Sequence, residues 1–73
     1  MFLKIQDTLI DTDAVAYVRR FRNESSPLNI RETYGLKIGI KNSEASVMIP
    51  FQQAADAAAC YHELCEKLQA VSL

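Results

Sequence analysis

The stretch Leu36-Lys37-Ile38-Gly39-Ile40-Lys41-Asn42-Ser43-Glu44-Ala45-Ser46-Val47-Met48-Ile49-Pro50-Phe51 decides the fold. Leu36, Ile38 and Ile40 alternate with Lys37, Gly39 and Lys41, so one face of an extended chain is apolar and the other is not. Asn42-Ser43-Glu44 is a tight turn, and beyond it Val47, Ile49 and Phe51 alternate with Ser46, Met48 and Pro50. Two half-buried strands, over about 31–41 and 45–51, follow from this pattern. Pro50 cannot donate to a strand ladder, which places the second of them at a sheet edge or ends it there.

Downstream the period changes. From about Gln52 to Gln69, Ala54, Ala57, Ala58, Tyr61, Leu64, Cys65 and Leu68 recur at helical spacing, with Asp56, Glu63, Glu66 and Lys67 opposite. That is an amphipathic helix over about 52–69, rich in the strong helix formers Ala and Leu. Upstream, residues 2–6 alternate as a short strand, with Leu3 and Ile5 on one side. Asp11-Thr12-Asp13 has the side chains that bond nearby backbone amides in turns. A strand over about 15–22 sorts its side chains ambiguously, since Val15, Tyr17 and Phe21 share one parity and Ala16 and Val18 the other. A bulge, or cover on both faces, produces such a pattern. Residues 23–29 have the polar and proline content of a loop.

The expected architecture is therefore a single α+β domain over 1–73, a four-stranded antiparallel meander with one C-terminal amphipathic helix packed on one face. The helix should cover Leu3, Ile5, Ile38, Ile40, Val47 and Ile49. With one helix for one sheet, the other face has no cover of its own. It should display Phe2, Lys4, Lys37, Lys41 and Met48, with some of Arg19, Arg20 and Arg22.

Composition narrows the class. Of 73 residues, 49% are hydrophobic and 23% charged, too apolar for a disordered chain. Eight basic against nine acidic side chains leave a net charge of −1, so no whole-molecule field draws in nucleic acid or an anionic membrane. Lys4, Asp7, Asp11 and Asp13 interrupt any signal-peptide core, and no apolar run reaches membrane-spanning length. The expectation is a cytoplasmic bacterial protein without membrane contact.

A core this small is marginal and is commonly supported by a disulfide, a metal or a second copy of the chain. Cys60 and Cys65, on one helix, are turned about 140° apart and separated by about 7.5 Å along the axis, beyond disulfide reach. Cys60, His62 and Cys65 fit no zinc spacing and lack a fourth ligand. No cofactor or metal is expected, and self-association remains.

Catalytic signals are absent. Cys60 and His62 lie about 200° apart around the helix. Cys65 falls inside the apolar stripe, where burial dulls a thiol. Asp11 and Asp13 are accounted for by turn formation. Gly35 and Gly39 stand singly within a strand and form no phosphate loop. Arg19-Arg20-Phe21-Arg22 suits phosphate contact with stacking on a base, but cations on a strand also guard an edge against aggregation. Residues 1–51 hold seven basic and six acidic side chains, which argues for the second use. Ala55 and Ala59 lie on the helix face away from the stripe, where small residues allow another helix to approach.

These readings point to a small non-catalytic protein–protein interaction or accessory protein. It is expected to be homodimeric or bound to another protein, through Phe2, Lys37, Lys41 and Met48. The alternative is a nucleic-acid-binding regulator using Arg19, Arg20, Arg22, Lys37 and Lys41.

The run Ile10-Asp11-Thr12-Asp13-Ala14-Val15-Ala16-Tyr17-Val18, followed by a Gly-containing strand and a helix, resembles the opening of the LytTR-type DNA-binding domain, over about residues 8–68. That resemblance implies DNA contact through a bundle of strands. The whole chain also looks like short bacterial proteins built from a meander and one C-terminal helix. Residues 2–18 are similar to the front half of the FlbD-type small flagellar-associated proteins. The short bacterial proteins have no assigned role, and none of the three likenesses transfers a functional residue.

Overall fold

A computed structural model describes residues 1–23 and 33–73. Among them the chain runs β1 (Phe2–Ile5), β2 (Thr8–Asp11), a 3₁₀ turn (Thr12–Ala14), β3 (Val15–Asn23), β4 (Thr33–Ile40), β5 (Ser46–Phe51) and α1 (Ala54–Lys67). The fold is α+β, as expected, but the strands number five and form two antiparallel sheets, β1-β2 and β3-β4-β5. The expected meander of four strands in one sheet is thus corrected. Arg31 and Glu32 of the expected third strand, and residues 24–29 of the expected loop, lie outside the described residues.

β4 is the central strand. Its Tyr34, Leu36 and Ile38 face Arg22, Arg20 and Val18 across β3, and Phe51, Ile49 and Val47 across β5. Leu36, Ile38 and Ile49 are the largest fully buried side chains, and each contributes about 1.5–3 kcal/mol by leaving water. Pro50 sits on an edge strand, where its missing N–H costs no ladder bond. The ambiguous sorting of β3 is explained by an irregularity between Val15 and Tyr17. Val15 pairs with Ile40 and Tyr17 with Gly39, so Ala16 is the extra residue of a bulge.

The strand missed by sequence is β2. The chain reverses through a two-residue loop, Gln6-Asp7, between the paired Ile5 and Thr8. Gln6 takes the left-handed conformation (φ 54°) that hairpin loops usually assign to Gly or Asn. Without that marker, residues 8–10 receive no element from the sequence and Asp11 reads with the turn. A side-chain contact holds the loop, since the Gln6 carboxamide donates to the Pro50 carbonyl at 2.7 Å. The polar run after β2 does form the expected turn. Asp11 Oδ1 accepts from the Asp13 N–H at 3.1 Å, and the Thr12 N–H and hydroxyl both donate to the Met1 carbonyl at 2.8 and 3.0 Å.

This turn separates the two sheets, and it changes what the helix covers. Ile5 and Ile10 of the hairpin are buried in one cluster with Leu36, Ile38, Ile49 and Leu64, with Leu3 partly buried against it. The hairpin therefore lies beside α1 on the same face of the three-stranded sheet. α1 keeps its expected stripe. Ala57 and Leu64 are buried, Ala58, Tyr61, Cys65 and Leu68 half-buried, and Ala55 and Ala59 exposed, while Ala54 is exposed as well.

The helix ends two residues before the expected limit, in a closed cap. Gln69 is left-handed (φ 56°), the Gln69 N–H donates to the Glu66 carbonyl at 3.2 Å, and the Ala70 N–H donates to the Cys65 carbonyl at 2.9 Å. This is the paired arrangement in which Gly is favoured at the left-handed position. Gln69→Gly is therefore expected to raise unfolding free energy by about 1 kcal/mol, because a Cβ in that conformation costs about that much. Urea denaturation measures it, and an unchanged or lowered midpoint would contradict the strained cap.

Candidate functional site

The face of the three-stranded sheet turned away from α1 and the hairpin has no cover among the described residues. Strand register arranges it as three rows. Tyr17, Gly39 and Ser46 form one, Arg19, Lys37 and Met48 the middle one, and Phe21, Gly35 and Pro50 the third. The outer rows each place an aromatic ring against a glycine. A Cβ added to Gly35 would lie 2.5 Å from Phe21 Cζ, and one added to Gly39 would lie 2.1 Å from Tyr17 Cε1. The rings thus lie across the glycine backbone, and both glycines are buried although they point outward. Tyr17 remains 44% exposed and Met48 51% exposed.

The middle row is cationic. Arg19 and Lys37 are direct cross-strand partners, a like-charge pairing that destabilises a sheet. The Arg19 guanidinium lies 5.7 Å from the centre of the Tyr17 ring, a cation–π contact. β3, β4 and β5 together carry Arg19, Arg20, Arg22 and Lys37 and no carboxylate. The described acids sit elsewhere: Asp7, Asp11 and Asp13 near the hairpin, Glu44 in the β4–β5 turn, and Asp56, Glu63 and Glu66 on α1. A near-neutral composition thus conceals a sheet of one sign.

The residues expected on this face are divided by the structure. Lys37, Met48 and Arg19 are on it. Phe2 and Lys4 belong to the separate hairpin sheet, because β1 does not pair with β3, β4 or β5. Lys41 follows the end of β4, where it is exposed and its N–H donates to the Ala14 carbonyl at 2.8 Å. Arg20 and Arg22 have the parity of Leu36 and Tyr34 and so point to the helix side. There the Arg20 guanidinium lies 5.2 Å from the centre of the Tyr61 ring. The sequence marks Phe21 as a stacking ring among the arginines but does not mark Tyr17. A signal for the pair was present, since their four-residue spacing equals that of Gly35 and Gly39, but it acquires meaning only once the register pairs them.

The remaining chemistry is dispersed. Both thiols are free. Burial, and secondarily the charge of Glu63, raise the Cys60 pKa and hold that thiol protonated. Cys65 lines an apolar cleft with Val18, Tyr61, Leu64, Leu68 and Ala70. His62 is exposed and meets the Tyr61 ring edge-on, with centroids 6.3 Å apart. Among the described residues no three His, Cys, Asp or Glu side chains gather as a metal site, and no helix is long and apolar enough to cross a membrane.

No protein-family model matches the chain, and no curated protein or solved structure does so either.

The two aromatic–glycine contacts differ in what surrounds them. At Gly39 the three atoms nearest a new Cβ all belong to the Tyr17 ring, whereas at Gly35 the Ile49 carbonyl stands 2.6 Å away. A half-exposed ring can swing aside and a backbone carbonyl cannot. Gly35→Ala is expected to cost about 1–3 kcal/mol by overpacking, and Gly39→Ala less. Equal costs in chemical denaturation would contradict the stacked geometry.

Proposed function

We propose that this chain is a small non-catalytic binding protein whose working surface is the open face of β3–β5. The observation that carries this reading is the middle row, where Arg19 and Lys37 are neighbours with no carboxylate on the sheet to offset them. A fold with a small core keeps a repulsive cross-strand pair at a cost in stability, and local rules of this kind are broken mainly at functional positions. The non-catalytic part of the reading is supported by the raised pKa of Cys60, which keeps that thiol protonated. Photoreactive residues placed singly at Met48 and at Ala55, in the cells that make the protein, test which surface works. Macromolecular adducts are expected from position 48 and not from 55. The reverse pattern would transfer function to the helix and overturn the reading.

Self-association is a second reading, favoured by a different surface. Phe2 and Leu9, each 66% exposed, stand on the outer face of the hairpin beside Lys4 and Asp11. A two-fold axis there would set unlike charges and apolar side chains against their copies. The open sheet face instead would oppose its cations to themselves. Two four-residue strands offer a patch of about 13 by 10 Å, far below the roughly 800 Å² per partner of a stable interface, so the dimer is weak. Sedimentation equilibrium is expected to show a monomer–dimer exchange at high concentration that Leu9→Lys abolishes. A monomer throughout would remove this reading.

A further inference from the structure

We infer that the open sheet face binds single-stranded nucleic acid, with one phosphodiester on Arg19 and Lys37 and a base stacked on each of Tyr17 and Phe21. The inference rests on the proposed working surface and names its partner. Tyr17 and Phe21 are four residues apart on one strand, about 13 Å, with the Arg19–Lys37 pair in the row between them. Two flat platforms on either side of a doubly cationic centre match a backbone phosphate flanked by two unstacked bases. Aromatic rings stack on any base, and cations track the backbone, which together make sequence-tolerant single-strand contact. The glycines have a part in this. Gly35 and Gly39 let the rings lie flat against the sheet, so ring faces and not edges are turned outward.

Other occupants fit less well. An acidic peptide would use the cations but leaves the two platforms without a flat partner. A duplex keeps its bases stacked inside, out of reach of a flat sheet. A second copy of the face brings like charges together. The net charge of −1 limits long-range attraction, so contact on this one sheet face, and not steering, supplies the affinity.

The test is titration of a short fluorescein-labelled oligothymidylate, with a duplex of equal length and a polyglutamate peptide of equal charge as comparisons. Preferential binding of the single strand is expected, with a log–log salt slope of about −1.4, from about −0.7 for each of two cations on a single strand. Arg19→Gln should reduce that slope by about 0.7. Phe21→Leu, which keeps an apolar cover on Gly35, should weaken binding about tenfold. Lys37→Glu replaces a like-charge pair by an opposite one, so it should raise the thermal midpoint while abolishing binding. Its failure to bind therefore cannot be assigned to unfolding.

No binding at low salt, equal affinity for polyglutamate, or an undiminished Phe21→Leu variant would overturn the inference. If the probe at Met48 captures a protein and the oligonucleotide does not bind, the open face stands as the working surface without nucleic acid as its occupant. If neither occurs, both proposals fall.

Discussion

The two-residue period of β4 is the constraint on which the rest depends. One parity of this central strand sends Leu36 and Ile38 into the core, where they meet Ile49, Ile5, Ile10 and Leu64. The other parity sends Gly35, Lys37 and Gly39 to the opposite face. A slip of one residue would exchange the two sets, burying a lysine and exposing the centre of the core. Core and candidate site are therefore two readings of the same eight-residue strand.

Both local coverings are used on one side. The hairpin and α1 share the inner face, each contributing part of a single apolar cluster, with Leu64 from the helix and Ile5 and Ile10 from the hairpin. That division lets a 14-residue helix suffice for a three-stranded sheet. It also leaves the outer face to Tyr17, Phe21 and Met48, side chains that a larger protein would cover.

Charge is divided along the same boundary. Counted along residues 1–51, acids nearly balance bases, which weakens any argument for an anionic partner. Sorted by element, β3, β4 and β5 carry bases and no acids in their own sequences, and the described acids are placed in the hairpin, in turns and on the helix, where capping and solvation favour them. Among the described residues the same segregation leaves Arg19 and Lys37 without a carboxylate on their own sheet, although the chain as a whole is nearly neutral.

The sequence by itself determined the period of each long element: the alternation of residues 36–40 and 46–51, the helical stripe from Ala57 to Leu68, the edge position of Pro50 and the turn at Asp11-Thr12-Asp13. These depend on neighbours close along the chain, and local sterics and patterning suffice. Only the tertiary structure decided that residues 8–11 form a strand, because their turn uses Gln6 in a conformation its side chain does not advertise and its support comes from the distant Pro50 carbonyl. The tertiary structure alone also parted Phe2, Lys4, Arg20 and Arg22 from Arg19, Lys37 and Met48, and set Tyr17 and Phe21 upon Gly39 and Gly35. Which face a side chain joins, and what lies across from it, depends on strand register and on where the hairpin docks, and these are set by pairing between segments far apart in the chain.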